Sequence, residues 1–366
     1  MDKILLLMMV GLYKKRLIMK FNKHFKVATK IISENTPVFI IAEAGVNHNG
    51  DINKAKELID VAATAGVDAV KFQAFKTENL ILKDVEKAPY QQKTTDSKES
   101  QFEMLKSLEI NQNQNRELIE YCNNKNIIFL STPFDEDSID ELVELDLPAF
   151  KVASTDTTNL PFLKKLALTG KPLFLSTGMS YLAEIEMALE EIYPHNKNVV
   201  LLQCTANYPI SDEEANLNVI KTFKSKFDII VGYSDHSMGI GASPYAIPMG
   251  AKVVEKHFTL DTDQSGPDHK ASLNPEELKR YVKEIRRVEL FLGTSNKRPS
   301  FDELKTRDSL QKCLVASKPI SRLEAFTEDN IVAKRSGGKG VSPIYFKDIL
   351  KKNASKNYNV DDIIDE

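Results

Sequence analysis

The sequence predicts a (β/α)8 barrel followed by a small β-rich module. Eight short apolar runs alternate with amphipathic segments over roughly 250 residues, which is the length and rhythm of such a barrel. Polar or ionisable residues follow each run directly, and a polar linker separates the last helical segment from a module with a glycine-rich turn. A doubly wound open sheet is the structural alternative, but no G-x-G-x-x-G motif follows the first strand.

Residues 1–36 precede the barrel pattern, and we interpret them as an N-terminal extension. Residues 4–12 are apolar, and Lys14, Lys15 and Arg16 follow at once. A secretory signal carries its positive charge before the apolar run, and this run is also too short to cross a bilayer. Our hypothesis is that Met19 is the true start and that residues 1–18 are a translation artefact or a loose tail.

The barrel pattern occupies residues 37–293. The strand candidates are the apolar runs at 38–42, 69–72, 127–130, 149–152, 173–175, 199–202, 229–231 and 252–254. Segments of helical period separate them, such as 53–65, 139–145, 160–169, 182–192 and 214–223. The polar connection 77–111 is too long for one link of this pattern, so we expect a lid or a partner contact over the barrel mouth.

Residues 294–305 are rich in Ser, Asn, Lys and Pro, and we interpret them as a linker. Residues 306–366 then contain short β-like pieces at 313–316 and 331–333. The turn Ser336-Gly337-Gly338-Lys339-Gly340 follows the second piece. This composition predicts a compact, β-rich domain.

Composition excludes several classes of function. The 366 residues are 42% hydrophobic and 28% charged, with a formal net charge of −3, which offers no broad basic face for nucleic acid. Cys122, Cys204 and Cys313 lie far apart without a C-x-x-C motif, which favours a reducing cytoplasm over a disulfide framework or a zinc cluster. No apolar run approaches the roughly 20 residues of a membrane helix. We therefore expect a cytoplasmic protein that binds neither nucleic acid nor membrane.

Two histidines follow the last two predicted strands. His236 comes after the run 229–231, and His257 comes after 252–254, with room for one helical crossover between them. A βαβ unit makes the two strands parallel and adjacent, so both imidazoles lie at the same end. Imidazole is a common metal ligand, and the pair predicts a divalent metal site. Two unrelated, hydrogen-bonded core histidines are the alternative.

Polar groups follow all eight predicted strands, at the end of the barrel where active sites form. Charges beside a core are costly unless they are paired or used, so their convergence predicts a site. The residues are Glu43, Lys71, Gln73, Thr132, Lys151, Ser154, Ser176, Tyr208, His236, Glu255 and His257. Asp268 lies beyond the eighth strand, where a turn can return it over the mouth.

The residue types have a chemical sense. Lysines and hydroxyl groups suit a dianion that carries phosphate and carboxylate. Glu43 and Glu255 can orient hydroxyl groups or move protons. The set therefore predicts that a small phosphorylated acid is joined to a hydroxylated or carbonyl-bearing partner at a metal.

Seven motifs occur in a fixed order along the chain. They are IAEAGVNHNG at 41–50, VKFQ at 70–73, STPF at 131–134, LSTGM at 175–179, GYSDH at 232–236, EKHFTL at 255–260 and SGPDH at 265–269. With them, the chain resembles the sialic acid synthase family (N-acetylneuraminate synthase and its relatives) from about Pro37 to the C-terminus. The resemblance implies a (β/α)8 barrel with a small antifreeze-like (SAF) domain. It also implies condensation of phosphoenolpyruvate with an N-acetylated mannose-type sugar, with Mn2+ or a similar ion (Mg2+ or Co2+).

The resemblance also implies roles by position. It implies that His236 and His257 bind the metal and that Arg335, from the small domain, enters the barrel of the other subunit in a domain-swapped homodimer. Glu43, Lys71, Lys151 and Arg335 are the implied catalytic residues. The implied phosphoenolpyruvate ligands are Lys71, Thr132, Lys151, Ser154 and Ser176. The implied sugar or supporting contacts are Glu43, Gln73, Tyr208, Glu255 and Asp268.

The chain departs from the family pattern at four positions. Gln203 stands where His is frequent, Ala206 where Asn occurs, Asp156 where Glu is usual, and Ser336 where the turn has Pro. We expect these positions to affect which sugar is accepted.

Other functions remain open at this point. Within the family, the alternative to N-acetylneuraminate synthase is an N,N'-diacetyllegionaminate or pseudaminate synthase. Outside it, a metal-dependent barrel aldolase or isomerase predicts no dependence on phosphoenolpyruvate. An ice- or glycan-binding module on an inert barrel does not explain the charged strand ends.

Overall fold

The computed structural model describes residues 19–88, 91–92, 95 and 99–366. The hypothesis about residues 1–18 therefore lies outside the described residues. The chain divides into two compact units between Gly293 and Thr294.

The first unit confirms the predicted barrel. Eight parallel strands close on themselves because the last strand pairs with the first, with Val253 opposite Phe39 and His257 opposite Glu43. A closed order excludes the open sheet. The strands are β3 Phe39–Gly45, β4 Ala69–Ala74, β5 Ile128–Pro133, β6 Phe150–Val152, β7 Leu173–Ser176, β8 Val199–Cys204, β9 Ile230–Asp235 and β10 Val253–His257.

Side chains alternate between the two faces of each barrel strand. On β10, Val253 joins the apolar cluster inside the barrel, whereas Val254 joins the larger cluster under the helices. On β8, Leu202 is inside and Leu201 is outside. Both faces are buried, as parallel barrels require. This alternation decides which residues at the strand ends face the mouth.

A hairpin missed by the sequence analysis precedes the barrel. Strands β1 His24–Val27 and β2 Lys30–Ser33 pair antiparallel within the expected extension 1–36. Phe25, Val27 and Ile32 pack with the first inward-facing residues of the barrel strands, such as Phe39 and Phe174. The hairpin therefore covers the amino-terminal end of the barrel.

Helices lie between the strands and pack on their outer faces. In its described residues, the long connection 77–111 holds two of them, and it contributes Met104 and Leu108 to a cluster with Val46 and Phe75, next to the carboxyl ends of β3 and β4. The helices that lie wholly within the described residues of this unit are α1 Ile52–Ala65, α2 Thr77–Leu80, α3 Gln101–Ser107, α4 Gln112–Asn124, α5 Glu136–Glu144, α6 Leu160–Leu168, α7 Leu182–Ile192, α8 Asn218–Phe227, α9 Ser243–Ala246 and α10 Pro275–Leu292.

The second unit has its own small core. Strands β11 Lys312–Ala316 and β12 Ile331–Arg335 pair antiparallel, and helix α12 Phe346–Ile349 packs with them around Phe326 and Tyr358. Helix α11 Phe301–Leu310 precedes the strands and buries none of its residues. The expected linker 294–305 thus includes the start of a helix.

Among the described residues, no helix combines the length and apolar character that a bilayer span requires.

The hairpin provides a test of the fold. Ile32 is 1% exposed within the core, and its neighbour Ile31 is 45% exposed. Truncating Ile32 to Ala removes buried methyl groups and leaves a cavity, so we expect a loss of about 2–5 kcal/mol of unfolding free energy. Denaturant unfolding of Ile32→Ala measures it, with Ile31→Ala as the matched control at about 0.5 kcal/mol. Equal effects would contradict the placement of this hairpin.

Candidate active site

Four charged side chains meet at the carboxyl ends of the barrel strands. Lys71 Nζ lies 2.7 Å from Glu43 Oε2 and 3.7 Å from Glu255 Oε1. Lys151 Nζ lies 3.5 Å from the same Glu255 oxygen. None of the four side chains is more than 5% exposed. The structure thus brings together four of the predicted site residues in one nearly dry cluster.

Strand register explains this convergence. Glu43, Lys71, Lys151 and Glu255 each follow an inward-facing apolar residue by two positions, so the period of two points them into the barrel. Glu43 and Lys71 are also direct neighbours across β3 and β4. The backbone therefore places the cluster, without help from flexible loops.

Burial and neighbouring charges shift the acidities within the cluster. Burial raises the pKa of Glu43 to about 7, against the opposing effect of Lys71. Burial alone would also raise the pKa of Glu255, but Lys151 and Lys71 outweigh it and hold that pKa below its usual range. One carboxyl group thus titrates near neutrality while the other stays ionised, a combination suited to proton transfer beside a fixed charge.

Hydroxyl and amide groups contact the cluster or lie at neighbouring strand ends. Lys71 Nζ donates to Thr132 Oγ1 at 2.8 Å, and Gln73 Nε2 donates to Glu43 Oε1 at 3.3 Å. Ser154 Oγ accepts a hydrogen bond from the Gly178 amide at 2.9 Å. The buried Ser176 Oγ has no hydrogen-bond partner, so a donor remains for a ligand.

The two histidines lie beside the cluster, with Tyr208 against them. The ring centroids of His236 and His257 are 5.5 Å apart, and the Tyr208 ring lies 4.0 Å from His236. His236 Nδ1 donates to the Thr205 carbonyl oxygen at 2.7 Å, which fixes the ring and leaves Nε2 as the nitrogen for a ligand. Burial lowers the pKa of His236, but Cys204 and the Thr205 carbonyl oxygen outweigh burial and raise that pKa above its usual range. Burial among cations holds the pKa of His257 well below its usual range, and that ring is neutral.

Asp268 returns over the same region. Its Oδ2 lies 4.0 Å from His257 Nδ1, and burial raises the pKa of Asp268 to about 6. The loop is held by Asn49, which donates to Ser265 O at 3.0 Å and contacts His269 Nε2 at 3.1 Å. Asp268 therefore has a fixed position next to the histidines.

The residues present fit a divalent metal ion. In the described part of the chain, no three His, Cys, Asp or Glu side chains already form a metal cage. The buried Nδ1 of His257 nevertheless has no hydrogen-bond partner, and the Thr205 contact of His236 leaves its Nε2 for a ligand. Two imidazoles beside a carboxylate are a common donor set for Mn2+ and similar ions, and an ion that binds a protonated imidazole releases that proton. The predicted ligand pair is thus chemically suited to its role.

Arg335 lies in the second unit. It is the last residue of β12, and its side chain is exposed. Its entry into the barrel of another subunit stays a prediction.

The structure differs from the sequence analysis at two neighbouring positions. Gln203 lies on the outer face of β8, where its amide donates to Ala215 O at 3.2 Å. Gln203 therefore lies outside the barrel interior, contrary to the expectation that it affects the choice of sugar. Cys204 faces inward instead, with Sγ 3.8 Å from His236 Nδ1. The spacing of two residues from Leu202 is the signal that could have identified Cys204.

The other two departures of the barrel have different surroundings. Asp156 is engaged locally, since it accepts hydrogen bonds from Thr155 Oγ1 at 3.0 Å and Asn159 Nδ2 at 3.2 Å. Ala206 lies near Gly178, at which an added Cβ would be 3.0 Å from the Ala206 methyl group. Ala206 and Ser154 therefore both lie against Gly178, and this position, at which the chain departs from the family pattern, is close to the candidate site.

The cluster predicts a specific stability effect. Lys71→Met leaves Glu43 without its nearest cation, so we expect a loss of about 3–5 kcal/mol of unfolding free energy near pH 8. The loss should shrink near pH 5.5, because the raised pKa of Glu43 leaves that carboxyl group largely neutral there.

Urea unfolding at the two pH values measures this effect. Lys279→Met is the matched control, since its partner Glu276 is on the surface and such pairs contribute about 1 kcal/mol at most. A loss at Lys71 that is no larger than at Lys279 would show that the cluster is not a buried ion pair.

The chain is similar to known proteins over most of its length. A model of the NeuB family matches residues 58–297. An N,N'-diacetyllegionaminic acid synthase of Campylobacter jejuni is 48% identical over 330 residues, which cover 89% of this chain and 98% of that one. The human N-acetylneuraminate-9-phosphate synthase is 38% identical over 331 residues, which cover 90% of this chain and 92% of that one. The crystal structure of a sialic acid synthetase from Leptospira borgpetersenii in complex with citrate superposes with a TM-score of 0.69 at 35% identity, covering 80% of this chain and 98% of that one.

Proposed function

The chain belongs to the NeuB family, and from this premise we propose that it condenses phosphoenolpyruvate with an N-acetylated amino sugar to give a nonulosonic acid and phosphate. The observation that carries the proposal is the cluster of two lysines and two glutamates beside a pair of buried histidines. The lysines suit a substrate that carries phosphate and carboxylate, and the histidines suit a metal ion that binds a carbonyl acceptor.

Lys71 and Lys151 are the proposed anchors of phosphoenolpyruvate. Their ammonium groups share Glu255, so both point to one region of the barrel mouth. Thr132, Ser154 and Ser176 add hydroxyl groups around them. Charge-assisted hydrogen bonds of this kind hold an anion and stabilise the charge that develops on the leaving phosphate.

Glu43, Gln73 and Asp268 are the proposed sugar side of the site. The three side chains meet around Gly45, since an added Cβ there would lie 3.3 Å from Glu43 Oε1 and Gln73 Nε2 and 3.7 Å from Asp268 Oδ2. Amide and carboxyl groups at this spacing suit the hydroxyl groups of a sugar. Glu43 is the proposed group for proton transfer, because its pKa of about 7 lets it gain or lose a proton at neutral pH.

His236 and His257 would hold the divalent ion, with Asp268 and Tyr208 beside them. When bound, such an ion supplies a Lewis acid for a carbonyl oxygen. The chain itself keeps the His257 ring neutral and orients His236 through the Thr205 carbonyl oxygen.

The proposed reaction forms one bond between carbon atoms and releases one phosphate. The methylene carbon of phosphoenolpyruvate bonds to the aldehyde carbon of the open-chain sugar, and the aldehyde oxygen gains a proton. Water adds to the central carbon of phosphoenolpyruvate, and phosphate departs as the keto group forms. Lys71 and Lys151 remain in contact with the phosphate throughout.

We propose a diacetamido sugar as the first candidate for the acceptor. N,N'-diacetyllegionaminic acid synthases of Campylobacter jejuni and Legionella pneumophila are 48% and 42% identical to this chain, compared with 38% for the human N-acetylneuraminate-9-phosphate synthase. N-acetylmannosamine, which would make the protein an N-acetylneuraminate synthase, is the second candidate. A pseudaminic acid synthase of Campylobacter jejuni is 34% identical to this chain, and it supports a third candidate, the sugar precursor of pseudaminic acid.

One assay tests the activity. Phosphate release from phosphoenolpyruvate is measured with three acceptor sugars in turn. They are N-acetylmannosamine and the diacetamido sugar precursors of the legionaminic and pseudaminic acid derivatives. We expect turnover with one sugar of this panel, a dependence on Mn2+, and loss of that dependent turnover in His236→Ala. Near-normal rates of His236→Ala in the presence of a chelator would exclude the metal role. A reaction of the sugars without phosphoenolpyruvate would favour a barrel aldolase.

Arg335 provides a second test, which includes the proposed domain-swapped homodimer. If Arg335 completes the sugar side of a partner's barrel, Arg335→Ala should raise the KM for the sugar about tenfold or more, while the KM for phosphoenolpyruvate changes little. Arg322→Ala is the matched control, since Arg322 is an exposed arginine of the same unit. Unchanged kinetics in both variants would remove Arg335 from the site.

A further inference from the structure

A buried ion pair lies directly behind the two histidines. Asp235 precedes His236 and Lys256 precedes His257, and the two charged residues are neighbours across β9 and β10. Lys256 Nζ lies 3.2 Å from Asp235 Oδ1, and neither side chain is more than 1% exposed. The chemistry proposed above uses neither residue.

The pair and the histidines occupy opposite faces of the same two strands. His236 and His257 face the barrel interior, where their rings are 5.5 Å apart. Because side chains alternate along a strand, Asp235 and Lys256 face the helices instead. The ion pair therefore joins the two strand ends on the outside, at the level where the imidazoles must converge on the inside.

The connection after β9 is wrapped around this pair. Asp235 Oδ1 accepts from Ser237 N at 2.9 Å and Ser237 Oγ at 2.5 Å, and its Oδ2 accepts from Ser243 N at 2.9 Å and Ser243 Oγ at 2.7 Å. Lys256 Nζ also donates to the Ser237 carbonyl oxygen. At Gly241, where φ is +65°, an added Cβ would lie 2.1 Å from Ser237 Oγ and 2.8 Å from Lys256 Nζ. Both carboxylate oxygens of Asp235 thus accept two hydrogen bonds each, and they hold the chain before and after His236 in place.

Stability alone does not account for such a pair. Well-packed apolar residues in place of a buried ion pair are often neutral or stabilising, whereas a fixed geometry is what the charges can add. Groups behind the ligands of a metal set the orientation of those ligands. We propose that Asp235 and Lys256 are positioning residues that set the spacing and orientation of His236 and His257 for a divalent ion. This inference rests on the metal site of the proposed function.

Binding of Mn2+ to the full chain, in the absence of substrates, tests the inference. The variants are Lys256→Met and the uncharged double variant Asp235→Asn/Lys256→Met. The matched control is Arg286→Met, which breaks a different ion pair of the barrel unit, 3.0 Å from Asp68. Free Mn2+ is measured by electron paramagnetic resonance during a titration, and thermal unfolding is measured on the same samples.

We expect both variants of the pair to bind Mn2+ about 10–100-fold more weakly than the wild type, with no change in Arg286→Met. The double variant separates positioning from stability, because it leaves no unpaired buried charge. Wild-type Mn2+ affinity in the double variant would overturn the inference, whatever its unfolding midpoint. If Lys256→Met fails to fold, the double variant decides in the same way.

The outcomes also distinguish the two proposals. If the wild type binds no Mn2+, the metal site of the proposed function fails, and the inference fails with it. If the wild type binds Mn2+ and the variants of the pair bind it equally well, only the inference fails.

Discussion

Charge balance at the barrel mouth is the constraint on which the rest of the site depends. Two ammonium groups and two carboxyl groups share a region that is nearly closed to water. Each charge alone would cost several kcal/mol, but two of each sign offset one another. An anionic ligand disturbs this balance because it competes with Glu43 and Glu255 for the lysines. A carboxyl group whose pKa is about 7 can respond by taking a proton, and Glu43 has that property.

The two faces of the strand ends have separate duties in this arrangement. Inward-facing residues form the charged cluster, whereas the residues between them, such as Asp235, join the strand ends to the helices. A substitution on the outer face would therefore shift the strand end, and with it the inward-facing side chains. The same logic applies to the loop carrying Asp268, which Asn49 and His269 hold from outside the cluster.

Sequence predicted the barrel and the residues at its strand ends, because an apolar run followed by a charge marks the point where a buried strand reaches the mouth. The sequence was a poorer guide to whether each strand residue faces the barrel interior or the helices. The strands are buried on both sides, so hydropathy shows no alternation, and Gln203 and Cys204 were hard to distinguish. The hairpin had a signal, since Phe25 and Val27 alternate with polar residues. The role expected for Arg335 comes from the resemblance alone, because an exposed arginine on a short strand has no local mark of function.

The hairpin beneath the barrel has a kinetic consequence. With the amino-terminal end covered by Phe25, Val27 and Ile32, ligands reach the charged cluster from the carboxyl ends of the strands. Glu255 precedes His257 by two positions on β10, so the carboxylate shared by the two lysines lies about 6.6 Å farther from the mouth along that strand than the imidazole. On the proposed function, phosphoenolpyruvate at these lysines lies below the sugar at the histidines. We therefore expect phosphoenolpyruvate to bind before the sugar.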